Sequence, residues 1–179
     1  YEIKALPLRL ANAEQQIINP LIMKATLVDG KVETALAINE VSLLRAGPQA
    51  AKLKIWVDNR QRTEELVCDG VLVATLAGST AYNYSAHGPI LPIGADVLAM
   101  TALNAYRPRR WRGALLPKTS IVRIDVLDNK KRPVMADADS VSFKNVKKVE
   151  ISSDTKIKHK ILFNQGHGLD ERLIQEQFV

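Results

Sequence analysis

The sequence has a single cysteine and few aromatic residues, and both shortages limit what the protein can be. With only Cys68 available, no disulfide can form within the chain. Three histidines accompany it without the spacing of a zinc-ligand set, so we expect no metal held wholly by this chain. No stretch approaches the roughly 18 unbroken apolar residues of a membrane helix, and the first residues lack a signal-peptide pattern. We therefore expect a cytoplasmic protein with no membrane partner.

The composition is that of a globular domain with a basic surface. The 179 residues are 46% hydrophobic, which is enough for one sizeable core. Aliphatic residues must fill that core because aromatic residues make up only 5% of the chain. The net charge is +6, and the positive residues concentrate in residues 107–112 and 144–160. Such a surface suits a polyanionic partner, but solvated charged faces are common, so charge alone favours no function.

Short extended segments joined by turn pairs dominate the chain. An apolar run at residues 21–28 meets an Asp-Gly pair at residues 29–30 and returns through residues 31–44, which predicts a hairpin. A second hairpin is predicted around the Asp-Asn pair at residues 58–59. The second half of the chain carries similar short apolar segments. This pattern is typical of antiparallel sheets rather than of alternating strands and helices.

Helical patterns are few. They occur at residues 4–16, after Ser79, and at residues 169–178, where apolar residues share one face. The sequence thus predicts a mainly β fold: a β-sandwich or more complex β domain with few short helices and a C-terminal helix.

A short apolar strand at residues 71–75 ends abruptly at small and hydroxylated residues. Ser79 or Thr80 would make a good N-cap, and a helix that begins there exposes free N–H groups and a positive dipole end to a ligand. Tyr82 and Asn83 would add an aromatic face and an amide, a mixture that suits an adenine or a ribose. A capped packing turn without a ligand is the alternative that the local pattern leaves open. The segment contains neither the Gly-x-Ser-x-Gly of a serine hydrolase nor the lysine of a P-loop.

The longest recognisable motif is CDGVLVATLAGSTAYNYSAHGPILP at residues 68–92. It resembles the signature of NAD kinases, which has Asp-Gly, a short apolar strand, Gly-Ser-Thr-Ala-Tyr and then Gly-Pro-Ile. Residues 37–41 resemble the family's Asn-Glu motif, and residues 107–117 resemble its Arg-Pro segment. Asp137 stands where the family has an aspartate before the late strands. The resemblance extends from about residue 20 to the last residues, which are similar to those of proteobacterial members.

The resemblance implies a phosphotransferase. NAD kinases transfer a phosphoryl group from ATP, another nucleoside triphosphate or polyphosphate to the 2′-hydroxyl of the adenosine ribose of NAD, giving NADP, with a divalent cation such as Mg²⁺. Their N-terminal α/β domain carries the catalytic aspartate in a Gly-Gly-Asp-Gly motif, and their C-terminal β-rich domain holds much of the dinucleotide. This chain resembles the second domain and contains no Gly-Gly-Asp-Gly. The resemblance therefore implies that this chain has no catalytic residue of its own, is inactive alone, and does not hold the Mg²⁺ by itself.

The resemblance also implies a division of the chain and an assembly. Residues 1–19 would be a linker from a missing N-terminal α/β domain, residues 20–165 the β-rich NAD-binding domain, and residues 166–179 a C-terminal helical tail. NAD kinases are usually dimers or tetramers, so a homo-oligomer is expected.

The residues that match the family's NAD-binding positions fall into three groups. Asn39 and Glu40 match a pair that contacts the NAD, and Asp69 matches an acid that reaches its nicotinamide side. The binding loop and the helix start match at Ala77, Thr80, Ala81, Tyr82, Asn83, Tyr84 and Ser85. Two further candidates depart from the usual pattern: His87 replaces a glycine of many members, and Asp137 belongs to an Asp-Ala-Asp segment in place of Asp-Gly.

Two other functions are open from the sequence. One is a non-catalytic basic β-domain that binds nucleic acid, although the chain lacks the stacked aromatic residues of single-strand binders. The other is the substrate domain of a related lipid kinase, which the Gly-Ser-Thr-Ala-Tyr run disfavours. The expected partners are therefore NAD and a nucleoside triphosphate rather than nucleic acid.

Overall fold

The computed structural model of the chain describes residues 5–92, 94–164, 174, 175 and 178. Its helical segments are α1 (Leu6–Ala11), a 3₁₀ turn (Ala77–Thr80) and α2 (Tyr82–Ser85). The strands are β1 (Glu14–Ile18), β2 (Leu21–Leu27), β3 (Val32–Ala37), β4 (Glu40–Arg45), β5 (Ala51–Val57), β6 (Arg60–Cys68), β7 (Gly70–Ala74), β8 (Val97–Leu103), β9 (Gly113–Pro117), β10 (Val122–Leu127), β11 (Val134–Ala138), β12 (Val141–Phe143), β13 (Val146–Ser153) and β14 (His159–Phe163).

The strands form two large antiparallel sheets and one small one. The first sheet has the order β3-β2-β13-β10-β5-β6, and the second has the order β12-β11-β4-β7-β8-β9. Strands β1 and β14 pair separately. The prediction of a mainly β fold with few short helices is confirmed. The predicted C-terminal helix falls mostly outside the described residues.

Both predicted hairpins are present, but the first continues differently from the prediction. Strands β2 and β3 pair around Gly30, which has a φ of +91°, and β5 and β6 pair around a turn whose two residues, Asp58 and Asn59, both have positive φ. Residues 31–44 were expected to form one extended run. They instead divide into β3 in the first sheet and β4 in the second, so the chain crosses between sheets at Ile38 and Asn39.

The core lies between the two large sheets. Alternate residues of the first sheet face it, as in β5, where Ala51, Leu53, Ile55 and Val57 are buried. Every residue of β7 is buried, because this central strand of the second sheet is covered on both faces. Its residues Val71 and Val73 join the main core. The side chains of Leu72 and Ala74 pack in a second cluster with Leu91, Ala99 and Leu103. The segment that follows β7 is therefore anchored to the sheet.

The helix predicted at residues 4–16 is only partly present. Helix α1 ends at Ala11, and β1 follows it, pairing with β14 from Glu14↔Phe163 to Ile18↔His159. None of the residues of α1 is buried. The assignment of residues 1–19 as a linker stays a prediction. Among the described residues, no helix has both the length and the apolar content needed to cross a membrane.

We expect a truncation in the core to cost much more than the same truncation on the surface. Leu53 is 0% exposed and Leu36 is 43% exposed, and both lie in strands of the first sheet. Leu53→Ala should lower the free energy of unfolding by about 2–5 kcal/mol because it removes buried methyl groups and leaves a cavity. Leu36→Ala should change it by less than about 1 kcal/mol. Urea unfolding of both variants checks this, and equal losses would contradict the position of the core.

Candidate functional site

The segment after β7 forms a 3₁₀ turn and then the short helix α2, so helical structure follows Ser79 as predicted, but without the predicted N-cap. Ser79 is fully buried, and its Oγ donates to the Leu76 carbonyl at 2.8 Å. Neither the 3₁₀ turn nor α2 has a side-chain cap, and α2 is only four residues long. The N–H groups of Ala81 and Tyr84 donate to backbone carbonyls. The prediction of Ser79 or Thr80 as a side-chain N-cap is therefore wrong, because Ala81 precedes α2 and the Ser79 hydroxyl bonds within the 3₁₀ turn.

Gly78 holds this segment directly against the turn that contains Asn39. A Cβ at position 78 would overlap the Asn39 carbonyl oxygen, so only glycine permits the approach. Thr75 adds two hydrogen bonds: its N–H donates to the Asn39 carbonyl at 2.9 Å, and its Oγ1 donates to the Ile38 carbonyl at 2.6 Å. The signature segment and the Asn39–Glu40 turn therefore form one unit, although they lie far apart in the sequence.

Glu40 carries an unusual carboxylate at this junction. Its Oε2 is buried and has no hydrogen-bond partner among the described residues. Burial, followed by the negative charge of Asp139, raises the pKa of Glu40 to about 7. An oxygen left without a donor is able to accept a hydrogen bond from a ligand hydroxyl or amide.

Asp139 is the residue of this region that the sequence analysis missed. Its carboxylate accepts hydrogen bonds from the backbone N–H groups of Ile38 at 2.6 Å, Asn39 at 3.1 Å and Glu40 at 3.2 Å. The residue predicted instead, Asp137, lies on β11 and accepts a hydrogen bond from the Ser142 hydroxyl. The signal was an aspartate between two short strands, where a two-residue hairpin turn requires positive φ.

Asp69 lies at the opposite end of the site and is held as a carboxylate. It accepts hydrogen bonds from Asn104 Nδ2 at 2.8 Å and from Arg45 Nε at 2.6 Å. The hydrogen bonds from Asn104 and Arg45 hold the pKa of Asp69 below its usual range, although burial opposes them. Asp69 is therefore ionised at neutral pH.

A cleft of about 770 Å³ opens beside Asp69. Four of the predicted residues line it, and they are Asp69, Tyr82, Ser85 and His87. Basic and aromatic side chains complete the wall, namely Arg45, Arg110, Trp111 and Arg112. Arg45 is paired with Asp69, so the other two arginines leave the cleft positively charged, which suits phosphate groups.

The two acidic groups of the site are well separated. In the antiparallel pair of β4 and β7, Glu40 is opposite Ala74, and Leu44 is opposite Gly70, the residue that follows Asp69. Four residues of strand, at about 3.3 Å each, place the backbones of these two ends about 13 Å apart. The hydroxyl of Tyr82 is affected by the charges of both acidic groups. Burial raises its pKa most, and the charges of Asp137, Glu40 and Asp69 raise it further. The arrangement suits an elongated ligand better than a compact one.

The remaining predicted residues differ in accessibility. Asn83 is fully buried, with Nδ2 donating to the carbonyls of Ser79 and Pro89 and Oδ1 accepting from Thr101 Oγ1 at 2.6 Å. Its side chain is therefore engaged by the protein itself and positions the loop. Tyr84 is exposed. The other three are partly buried, and these are Ala77, Thr80 and Ala81.

Replacing Gly78 by alanine should destabilise the chain and displace the turn at Asn39. The added methyl group would meet backbone rather than a flexible side chain, and such overpacking costs about 1–3 kcal/mol of unfolding free energy. Gly47→Ala is the matched control, because its new methyl group would approach Pro133 Cγ only to 3.8 Å. Urea unfolding and amide chemical shifts around Asn39 measure both effects. Equal results for the two variants would contradict the tight contact.

Ionisation of Glu40 should make the chain less stable as the pH rises. Its pKa is raised from 4.5 to about 7 in the folded state, so its contribution to stability is complete below the unfolded pKa and is lost as the pH rises through the folded pKa. Relative to Glu40→Gln, the wild type should lose on the order of 1 kcal/mol of unfolding free energy between about pH 5 and about pH 8. Urea unfolding at both values tests this. An identical pH dependence in the two chains would show that the carboxylate is not perturbed.

Comparison with known proteins identifies the family. The family described as ATP-NAD kinase C-terminal domain matches residues 38–159. An NAD kinase of Cereibacter sphaeroides is 68% identical over 171 residues, which cover 96% of this chain and 67% of that protein. An NAD kinase of Hyphomonas neptunium is 55% identical over 179 residues, which cover 100% of this chain and 70% of that protein.

Two solved structures share the fold. Yeast NADH kinase complexed with NADH superposes with a TM-score of 0.83 at 22% identity, over 99% of this chain and 54% of that one. An NAD kinase from Archaeoglobus fulgidus in complex with ATP superposes with a TM-score of 0.74 at 20% identity, over 97% of this chain and 62% of that one. None of these comparisons supports a nucleic-acid-binding domain or a lipid kinase. The chain belongs to the NAD kinase family, and its residues 38–159 correspond to that family's C-terminal domain.

Proposed function

We propose that the chain is the dinucleotide-holding part of a kinase that phosphorylates the 2′-hydroxyl of the adenosine ribose of NAD to give NADP. The observation that carries this proposal is the single unit formed by the signature segment and the Asn39–Glu40 turn, with Gly78 packed on the Asn39 backbone. The family match covers this unit.

The ligand chemistry of the site fits a dinucleotide. At one end, Glu40 offers a carboxylate oxygen without a donor, and at the other, Asp69 offers an ionised carboxylate. Ribose hydroxyls and a carboxamide supply the matching donors. The exposed rings of Tyr82 and Tyr84 offer faces on which a base can stack. Asn39, Ala77, Thr80, Ala81 and Ser85 complete the proposed contacts, and Asn83 serves by positioning the loop.

The phosphates of the ligand would lie toward the positively charged cleft. Arg110 and Arg112 line it together with His87, and a guanidinium can hold a phosphate through two parallel hydrogen bonds. We include Asp137 among the proposed ligand-binding residues because its charge raises the pKa of the Tyr82 hydroxyl.

The transfer itself needs groups that this chain does not supply. The ribose 2′-oxygen attacks the terminal phosphorus of the donor, the bond to the leaving phosphate oxygen breaks, and a base takes the hydroxyl proton. We propose that this base is the aspartate of a Gly-Gly-Asp-Gly motif, which the 179 residues lack. Within the described residues, no group of three or more His, Cys, Asp or Glu side chains could hold a metal ion. The proposed donor is ATP or polyphosphate, and the full enzyme is proposed to be a cytoplasmic homo-oligomer.

We expect the 179-residue chain to bind NAD without converting it. Titration calorimetry should detect NAD binding that changes little with salt, whereas binding of an oligonucleotide would weaken steeply. With ATP and Mg²⁺ present, no NADP should form. Asp69→Asn should weaken NAD binding about 10- to 100-fold, since it removes the charge from an acceptor of ligand hydrogen bonds.

Asp125→Asn is the matched control for this experiment. Asp125 accepts a hydrogen bond from Trp56 Nε1 at 2.8 Å and pairs with Arg123, so it is also held by one neutral donor and one arginine. It lies on β10, between Ile124 and Val126, which face the core, and so it points away from the site. Its substitution should leave NAD binding within about twofold. The proposal fails if the wild type does not bind NAD or if both variants bind it equally well.

A further inference from the structure

Where the chain crosses from the first sheet to the second, one carboxylate accepts hydrogen bonds from backbone N–H groups. Ile38 and Asn39 connect β3 to β4, and a segment that leaves one sheet for another has no ladder partner for its backbone N–H groups. Three successive N–H groups, those of Ile38, Asn39 and Glu40, instead converge on the two oxygens of Asp139 at 2.6, 3.1 and 3.2 Å. Hydrogen bonds to a charged acceptor are roughly twice as strong as those between neutral groups.

Asp139 is itself held in the conformation that this contact requires. It lies in the two-residue turn between β11 and β12, where Ala138 pairs with Val141, and its φ is +48°. Its own N–H donates to the Glu40 carbonyl at 3.2 Å. Glycine and asparagine also tolerate this φ, but glycine has no acceptor and asparagine replaces one acceptor oxygen by a donor. The requirement for three accepted hydrogen bonds explains an aspartate here.

The turn is thus fixed from both sides. Asp139 binds its N–H groups, and Thr75 binds its carbonyls through the hydrogen bonds to Ile38 and Asn39. The negative charge of Asp139 is unfavourable for the nearby Glu40, so electrostatics alone would favour a neutral residue at position 139. The charge is retained at a cost, which indicates that the position of the turn matters more.

We propose that Asp139 is a positioning residue: its carboxylate clamps the N–H groups of residues 38–40 and so presents Asn39 and Glu40 to the dinucleotide. This role rests on the proposed NAD-binding function. Asp139 acts through the backbone and is not assigned a contact with the ligand. It also explains how a hairpin late in the sequence contributes to a site whose predicted residues lie mostly before it.

Two variants of Asp139 and one matched control test the clamp. Asp139→Gly keeps the positive φ and removes the acceptors, and Asp139→Asn keeps the side-chain size and one acceptor oxygen. Asp58→Gly is the control, because Asp58 also has a positive φ, +52°, and its carboxylate accepts from the Ile121 N–H at 2.9 Å and from Ser120 Oγ at 3.2 Å. It lies in the β5–β6 turn of the first sheet, so it measures the cost of losing such an anchor elsewhere.

Hydrogen exchange, NAD titration and urea unfolding are measured on all four chains. In Asp139→Gly, the amides of residues 38–40 should exchange at least about 10-fold faster, and NAD should bind about 10-fold more weakly or worse. In Asp139→Asn, both the exchange rates of residues 38–40 and the NAD affinity should lie between those of Asp139→Gly and the wild type. Asp58→Gly should lose stability while its NAD affinity stays within about twofold of the wild type.

Each contrary result overturns a defined part of the proposal. If the amides of residues 38–40 exchange at the wild-type rate in Asp139→Gly, the clamp is refuted. If they exchange faster but NAD binds with wild-type affinity, the positioning role is refuted. If Asp139→Gly does not unfold cooperatively, Asp139→Asn decides by the same two measurements. A wild type that binds no NAD refutes the proposed function and the positioning role together, while the exchange rates still decide whether the clamp exists.

Discussion

The contact between Gly78 and the Asn39 backbone is the constraint on which the site depends. It joins the segment that follows β7 to the crossing between the two sheets, and a side chain at position 78 would separate them. Thr75 reinforces the contact from one side and Asp139 from the other. The candidate ligand groups therefore sit on backbone fixed by neighbouring strands, as preorganised binding requires.

The distribution of charge follows from this arrangement. Asp69 is kept ionised by Asn104 and Arg45, whereas burial and Asp139 push the pKa of Glu40 toward neutrality. Two carboxylates of one site thus differ in charge state near pH 7 because their surroundings differ. The basic cleft next to Asp69 adds a region of opposite sign. A ligand that carries both hydrogen-bond donors and an anionic group is complementary to such a surface.

The sequence predicted the strands and the family better than the local geometry of the site. Alternation and turn pairs are written in residue types, so the hairpins at residues 29–30 and 58–59 could be predicted. The change of sheet at Ile38 could not, because the run of residues 31–44 contains no glycine or proline to mark it. The N-cap prediction at Ser79 failed because its hydroxyl bonds within its own turn. Asp139 escaped notice because its role depends on partners about a hundred positions away.

The strand pairings have a consequence for how the polypeptide matures as it leaves the ribosome. Strand β2 takes β13 as a neighbour, and β1 pairs with β14, so these strands must wait for partners that lie far later in the sequence. Contacts so distant along the chain slow folding, since a long loop must close before they form. Until then, the apolar faces of β2 and β3 are without their sheet. The first sheet is therefore completed only after the chain has been made as far as β13.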